Sequence, residues 1–447
     1  MLISVALALS GGTWLVFMQT THSQASAAMP EPPLPETAAA DVDISWRYAW
    51  PINLSRSSER EVSYGARFPR IVVGPDRAYV IWEAVYNGAV IPAHSEALLT
   101  LSADYESWST PLVISTSLQA TSEHANFVQG TDGDLHLVWQ ETRGTGYQFM
   151  YQRRSSTGVA ELTEALDELS ELPVPVIGIN GSQNVHLTWL GVNPGPDIDV
   201  FHTRSVDSGN NWFFPTRAAG LPSSSLDVAL AVDNSNQAHV AWMENLGVST
   251  GGVIMYRVGS PVGEGMNWGT VITPSASLTN CVKPSIVVAG STAYIGWGRQ
   301  IQPQKMDVYF ARCSALACTT PITLGHSVVV NTSDPSQSAP VLAIDENGTL
   351  AAVWHGDQEH AEPGYNTLEE ILFTYSTDNG NTWTEVQNVS WTPNERSIDP
   401  HMVLVDGVAH VVWKERYDNT VPQKYDIWYA NSASGSAVFL PLVLRNH

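Results

Sequence analysis

Eight charged residues follow closely on regularly spaced tryptophans: Glu83, Glu141, Glu244, Arg299, His355, Asp357, Glu415 and Arg416. Two carboxyl groups flanking a glycosidic bond can act as general acid and as base or nucleophile. Grouped carboxylate oxygens can equally hold a Ca²⁺ ion. In an acidic chain they can also be plain solvated loop charge. The choice turns on whether one scaffold brings these residues to a common mouth. A second set recurs three positions before the tryptophans: His136, His186, His239 and His410, with Tyr79 and Tyr294 in two other copies. Equivalent positions in stacked repeats lie roughly 10 Å or more apart, so these histidines cannot share one ion and read as packing residues. The run His355-Gly-Asp-Gln-Glu-His360 lacks the His-Glu-x-x-His order of zinc peptidases. No Gly-rich phosphate loop, nucleophile elbow or Cys-x-x-Cys is present. The sequence therefore implies no metal site and no cofactor beyond an optional Ca²⁺.

The elements that must position these residues repeat seven times. Each copy is an apolar run, a Gly/Asn/Asp turn and a second apolar run ending at Trp82, Trp139, Trp189, Trp242, Trp297, Trp354 or Trp413. The gaps are 57, 50, 53, 55, 57 and 59 residues by subtraction of these numbers. A period of this size marks a repeat architecture whose units stack to cover their apolar faces. In the last copy Asp406-Gly407 separates two apolar runs, a strong hairpin signal. An alternating aromatic run, Asp426 to Ser432, supplies a third strand, and segments such as Trp108 to Ser115 supply a fourth. Four antiparallel strands per repeat make one propeller blade. The expected fold is an all-β, seven-bladed β-propeller, with six blades as the alternative. The stretch Trp46 to Ser55 reads as an orphan fourth strand able to close the ring with the last copy, a role for which the apolar tail Ser436 to Arg445 competes. Val159 to Leu172 has helical composition, yet its position in the repeat calls for a strand.

Two turns carry a sharper pattern, Ser-x-Asp-x-Gly-x-x-Trp: Ser205, Asp207, Gly209, Trp212, and again Ser376, Asp378, Gly380, Trp383. An Asp that accepts turn N–H groups, a Gly free to take positive φ and a covering Trp suit a tight hairpin. Ser102-Ala-Asp104 with Trp108 is a shorter variant. The pattern is the Asp-box, or bacterial neuraminidase repeat, and residues 43 to 435 resemble the sialidase superfamily of propellers. The resemblance implies a structural role for these turns, on the face away from any active site. It further implies three Arg clamping a substrate carboxylate, a Tyr–Glu nucleophile pair and an Asp acid/base. Arg67-Phe68-Pro69 partly matches the first-Arg motif. No second or third Arg falls in register, although Arg299, Arg396 and Arg416 lie in suitable loops. The family's ring also usually has six blades. Trp391, Tyr86, Tyr365 and Tyr417 could stack on sugar rings, and the longest loops follow blades one and six.

Composition bounds the rest. The chain has 21 Lys plus Arg against 44 Asp plus Glu, a net charge of −23, which repels nucleic acid and anionic membranes. Residues 1–27 read as a signal peptide ending at Ala25-Ser26-Ala27, although no Lys or Arg precedes the apolar run. Retained as an anchor, that run would give the one membrane contact. Residues 28–42 read as a flexible linker, 43–435 as the propeller and 436–447 as an apolar tail. Cys313 and Cys318 suit a disulfide across a hairpin end in an oxidising compartment, and Cys281 reads as a buried small hydrophobe. The sequence thus points to a secreted or cell-surface monomer that binds a glycan or an extracellular protein. The alternative is a glycoside hydrolase of exo-sialidase type.

Overall fold

A computed structural model describes residues 44, 46, 51–55, 65–86, 94–115, 121–143, 146–156, 160–169, 174–192, 197–221, 223–247, 252–302, 305–328, 339–356, 369–392, 395–418 and 424–433. The signal-peptide, linker and tail segments read from the sequence lie outside these residues. The described residues form seven four-stranded antiparallel sheets. In each blade, strands a to d hydrogen-bond in order. Every strand a touches the strand a of both neighbours, which closes a ring of seven. The chain is a seven-bladed β-propeller.

Local chemistry explains the strands. In blade 7, strand a (Ser397–Val405) turns into strand b (Val408–Asp418) through Asp406 and Gly407, at φ 50° and 75°. Two successive positive φ values make a turn whose twist matches the flanking strands. The first half of strand b is mostly apolar in every blade and leads to its tryptophan, beyond which the strand runs on. All seven tryptophans are buried, six of them within 1 % of full burial. Each packs on the preceding blade: Trp82 joins Val412 and Tyr429, Trp354 joins Tyr294 and Phe310, and Trp413 joins Phe373. At about 25 cal/mol per Å² over about 200 Å², one such side chain contributes roughly 5 kcal/mol of transfer free energy.

That scale decides the segment with helical composition. Its helix preference amounts to a few tenths of a kcal/mol per residue, less than the pairing and stacking a missing strand would forfeit. Residues Ala160–Leu169 accordingly form strand d of blade 2, paired from Arg154↔Ala160 to Tyr147↔Leu169. The ring is closed by the N-terminal stretch. Ile52–Asn53 adds a fourth strand to blade 7 by pairing with Tyr429 and Trp428. Asn53 Nδ2 and Ser55 Oγ both donate to Asp426, at 2.7 and 2.9 Å. Upstream, Trp46 packs edge-on to Phe373 of blade 6.

The Ser-x-Asp-x-Gly-x-x-Trp turns join strands c and d in blades 3 and 6. Asp378 Oδ1 accepts from Ser376 Oγ (2.8 Å) and Thr382 N (2.8 Å), and Oδ2 from Thr382 Oγ1 (2.7 Å). Asp207 makes the matching set with Ser205 and Asn211. Gly209 and Gly380 sit at φ 83° and 78°, and an added Cβ would strike Tyr151 and Phe310 of the preceding blade. Trp212 and Trp383 stack edge-on to those same rings, both at 5.1 Å. The short variant works alike. Turn N–H groups of Ser107 and Glu106 hold Asp104 down at about 2, and Trp108 packs on Tyr429. In blade 5 the corresponding c–d turn is spanned by the Cys313–Cys318 disulfide. Cys281 is free and buried.

Candidate functional site

In antiparallel blades the d–a and b–c connections gather at one end of the ring, opposite the c–d turns. Strand alternation sorts the charged residues that rise to this end. Because each tryptophan faces the preceding blade, the next residue faces the following blade and the one after turns back.

Glu83 is the residue directly after Trp82. It is fully buried against blade 2, where it accepts the His124 main-chain N–H and, at 3.0 Å, Arg67 Nε. Burial pushes its carboxyl up to about 7, against the pull of Arg67 and His124. Arg67 continues to Glu123 Oε1 of blade 2 at 2.6 Å, so it bridges two blades. Glu141, Glu244 and Glu415 stand two positions after their tryptophans and turn the other way. Glu244 accepts Trp242 Nε1 (2.7 Å), Ser225 Oγ (3.0 Å) and Ser223 Oγ. Glu415 accepts Trp413 Nε1 (3.0 Å) and Ser397 Oγ (3.2 Å), and burial pushes it up to about 7. Glu141 is buried opposite Ser122. The four glutamates are therefore split between blade interfaces and do not face one common point.

The arginines divide similarly. Arg396 forms a two-pronged pair with Glu369 at 2.8 and 2.7 Å. Arg299 donates to Thr279 O at 3.1 Å and lies 6.0 Å from the Tyr309 ring centroid. The Arg416 main-chain N–H donates to Arg396 O at 3.0 Å. His355 is wholly buried, and burial drives it down to about 3. Asp357 and Tyr365 lie outside the described residues, as does the Tyr417 side chain. Among the described residues no group of three or more His, Cys, Asp or Glu is placed to hold a metal ion.

Sequence reasoning missed the inner ring. Five of the first strands carry a β-bulge near their start, between Arg67 and Arg70, Glu123 and Asn126, Leu226 and Ala229, Val282 and Ser285, and Ile398 and His401. Each opens on a residue at positive φ: Phe68, His124, Asp227, Lys283 and Asp399, between 45° and 55°. Bulges re-aim side chains, and at these five the regular pairing of strands a and b is interrupted. Lys414 Nζ lies 2.5 Å from Asp399 Oδ2 and 5.7 Å from the Phe68 ring centroid. Burial alone would raise the Asp399 carboxyl, but the Lys414 ammonium beside it leads the opposing charges and keeps it low. The available signal was an X-Pro pair in three copies, Phe68-Pro69, Lys283-Pro284 and Asp399-Pro400. A proline there removes a ladder donor.

One rim residue stands apart. Trp391, in the connection from blade 6 to blade 7, is 64 % exposed and sits at φ 49°. A bulky side chain at positive φ is strained and persists only where its surroundings enforce it. Here Trp391 N donates to Asn388 Oδ1 at 3.0 Å. Buried Glu370 accepts Ser390 Oγ, Thr392 N (3.2 Å) and Thr392 Oγ1 (3.4 Å) on either side of it. Thr392 Oγ1 then meets Ser397 Oγ at 2.9 Å, which leads to Glu415.

Similarity to known proteins extends to the fold. No family model matches the chain, and no curated protein matches it. Among solved structures, a Dyadobacter fermentans protein of unknown function superposes at TM-score 0.51 and 8 % identity, over 85 % of this chain and 97 % of that one. A Trypanosoma rangeli sialidase in complex with sialic acid aligns at TM-score 0.47 and 12 % identity, over 87 % of this chain and 59 % of its own. A polysaccharide lyase, an ulvan lyase, aligns at TM-score 0.46 and 11 % identity, over 70 % and 76 %. The chain thus spans less than two thirds of that sialidase's length. These likenesses extend to the fold alone, a β-propeller, here with seven blades and bulged inner strands.

Proposed function

We propose that this propeller is an exported glycan-binding module acting at or outside the cell surface. Trp391 carries the reading. A tryptophan held in a strained conformation by a buried carboxylate, its ring turned to solvent beside a polar rim, suits the apolar face of a pyranose. The charge balance disfavours nucleic acid and anionic lipid, and the disulfide fits an oxidising compartment. Among the described residues no helix is long and apolar enough to cross a membrane. The Asp-box reading of the c–d turns leaves the opposite, loop-bearing end for the ligand.

The engaged cations favour binding over hydrolysis. Arg67 and Arg396 are each held by carboxylates of the protein, which leaves no three-arginine clamp on the residues the sequence nominated. One observation keeps a glycoside hydrolase as the second reading. Glu83 and Glu415 are both pushed up to about 7, the range of a general acid. They point into different blade interfaces, however, and do not flank a shared bond.

A glycan array probed with the wild type and with Trp391→Ala tests the proposal. The variant should weaken binding about tenfold or more while its melting temperature stays near that of the wild type. Array binding that survives the substitution would remove the basis of the reading. Turnover of aryl glycosides, the sialoside included, that disappears in Glu83→Gln would establish the hydrolase instead.

A further inference from the structure

Both neighbours of Trp391 are anchored on one buried carboxyl. Glu370 begins strand c of blade 6 (Glu370–Ser376) and is 8 % exposed. Its Oε2 accepts Ser390 Oγ from one side of Trp391, and Thr392 N and Oγ1 from the other. Ser390 Oγ also accepts Ile371 N at 3.0 Å, which ties this anchor to the strand. The network then runs on to a second carboxyl. Thr392 Oγ1 lies 2.9 Å from Ser397 Oγ, and Ser397 Oγ donates to Glu415 Oε2 at 3.2 Å. Two hydroxyls therefore join two buried carboxyls of neighbouring blades. With the Ser397 hydrogen given to Glu415, the single Thr392 hydrogen serves either Ser397 or Glu370.

The two ends are unequal. Three donors reach Glu370, whereas Trp413 Nε1 and Ser397 Oγ reach Glu415. Donors favour the ionised form, so Glu370 is the better seat for a charge and Glu415 for a proton. The surroundings do not favour a second charge. Arg396 is held by Glu369 and Tyr425, and Arg416 acts on Glu395. Asp426 lies across from Glu415 on strand c of blade 7 and accepts Asn53 and Ser55. His355, on strand b of blade 6, is held neutral by burial down to about 3. Burial raises both carboxyls, and the charges of Glu370 and Glu395 add to the rise at Glu415. Full ionisation would thus put two like charges into one buried network.

We propose that Glu370 and Glu415 form a proton latch on Trp391, which holds the indole in its strained, solvent-facing position while one proton is kept and releases it when that proton is lost. On release the network opens to water, Ser390 and Thr392 lose their common anchor, and the main chain relaxes from φ 49°. The held state belongs below about 7 and fades as pH rises through it. As regulation of ligand binding, the inference rests on the reading of Trp391 as the glycan contact. Affinity for neutral glycans should then fall about tenfold between about pH 6 and about pH 8, since binding keeps one proton on the protein.

Two measurements on the whole protein test the latch. Acrylamide quenching of fluorescence, wild type minus Trp391→Phe, isolates this indole among 16 tryptophans. The difference should change with a midpoint near pH 7. An array of neutral glycans is read at pH 6 and pH 8. Glu415→Gln keeps the acceptor and cannot ionise, so both readings should stay at their acid values. Glu370→Gln removes the neighbouring charge and should move the quenching midpoint to lower pH. Glu346→Gln, exposed on the a–b turn of blade 6, should change nothing. A flat quenching difference in the wild type, or one that still titrates in Glu415→Gln, overturns the latch. Trp391-dependent array binding that is equal at both pH values also overturns it and leaves the glycan reading standing. Quenching that switches as expected, with no array binding at either pH, supports the latch and overturns the glycan reading instead.

Discussion

Replacing Glu415 by Gln should stabilise the protein in alkali and leave it little changed in acid. Glu415 is 5 % exposed and accepts Trp413 Nε1 and Ser397 Oγ, bonds that a Gln carbonyl can also accept. Its carboxyl moves from an ordinary 4.5 to about 7, with burial the largest cause. The folded state therefore holds the proton more tightly than the unfolded chain. That stabilisation is fully present below about 4.5 and is lost as pH rises through about 7. A displacement of about 2.5 units at 1.36 kcal/mol per unit is worth about 3 kcal/mol. Gln does not titrate, so the variant escapes the loss. The difference in unfolding free energy, variant minus wild type, should climb by up to about 3 kcal/mol between about pH 4 and about pH 8. Other groups titrate in the same interval. His136, His186 and His410 are pushed down to about 4 by burial, and they cost stability as pH falls from 6.5. They are common to both proteins and cancel in the difference. Because burial dominates, the effect should persist in added salt. Urea unfolding of the pair across this range is the assay. A difference that stays flat with pH, or falls, would mean that Glu415 is ionised throughout and that the desolvation argument is wrong.

Two further expectations concern the end of the ring away from the loops. Asp378→Ala removes acceptors for Ser376 Oγ, Thr382 N and Thr382 Oγ1. It should cost about 1 to 2 kcal/mol, seen as a lower melting temperature, while glycan affinity stays at the wild-type value. Converting both Cys313 and Cys318 to Ala opens a loop with a sequence separation of 5. On the chain-entropy account this costs about 2 kcal/mol. Melting of the wild type with and without reductant should show the same gap, and the double variant should show none.

The blades were legible because their signals are local. A tryptophan at a fixed phase, Asp406-Gly407 at a hairpin tip, and Asp207 and Asp378 in their turns each specify a few neighbouring residues, and the stacking follows. Even Ala160–Leu169, whose composition favours a helix, could be assigned from its phase in the repeat. The charged face was less legible, for a geometrical reason. Period-2 alternation tells a reader that Glu83 and Glu244 point opposite ways relative to their tryptophans. It does not say which way is toward the axis, since that depends on how one blade leans on the next. The bulges are harder still. Phe68, His124, Asp227, Lys283 and Asp399 share no single residue type, and their common feature is a positive φ at the bulge. Arg67 illustrates the consequence. Its motif suggested a ligand clamp, but the bulge beside it places Glu83 and Glu123 within reach, and the guanidinium bridges blades 1 and 2 instead.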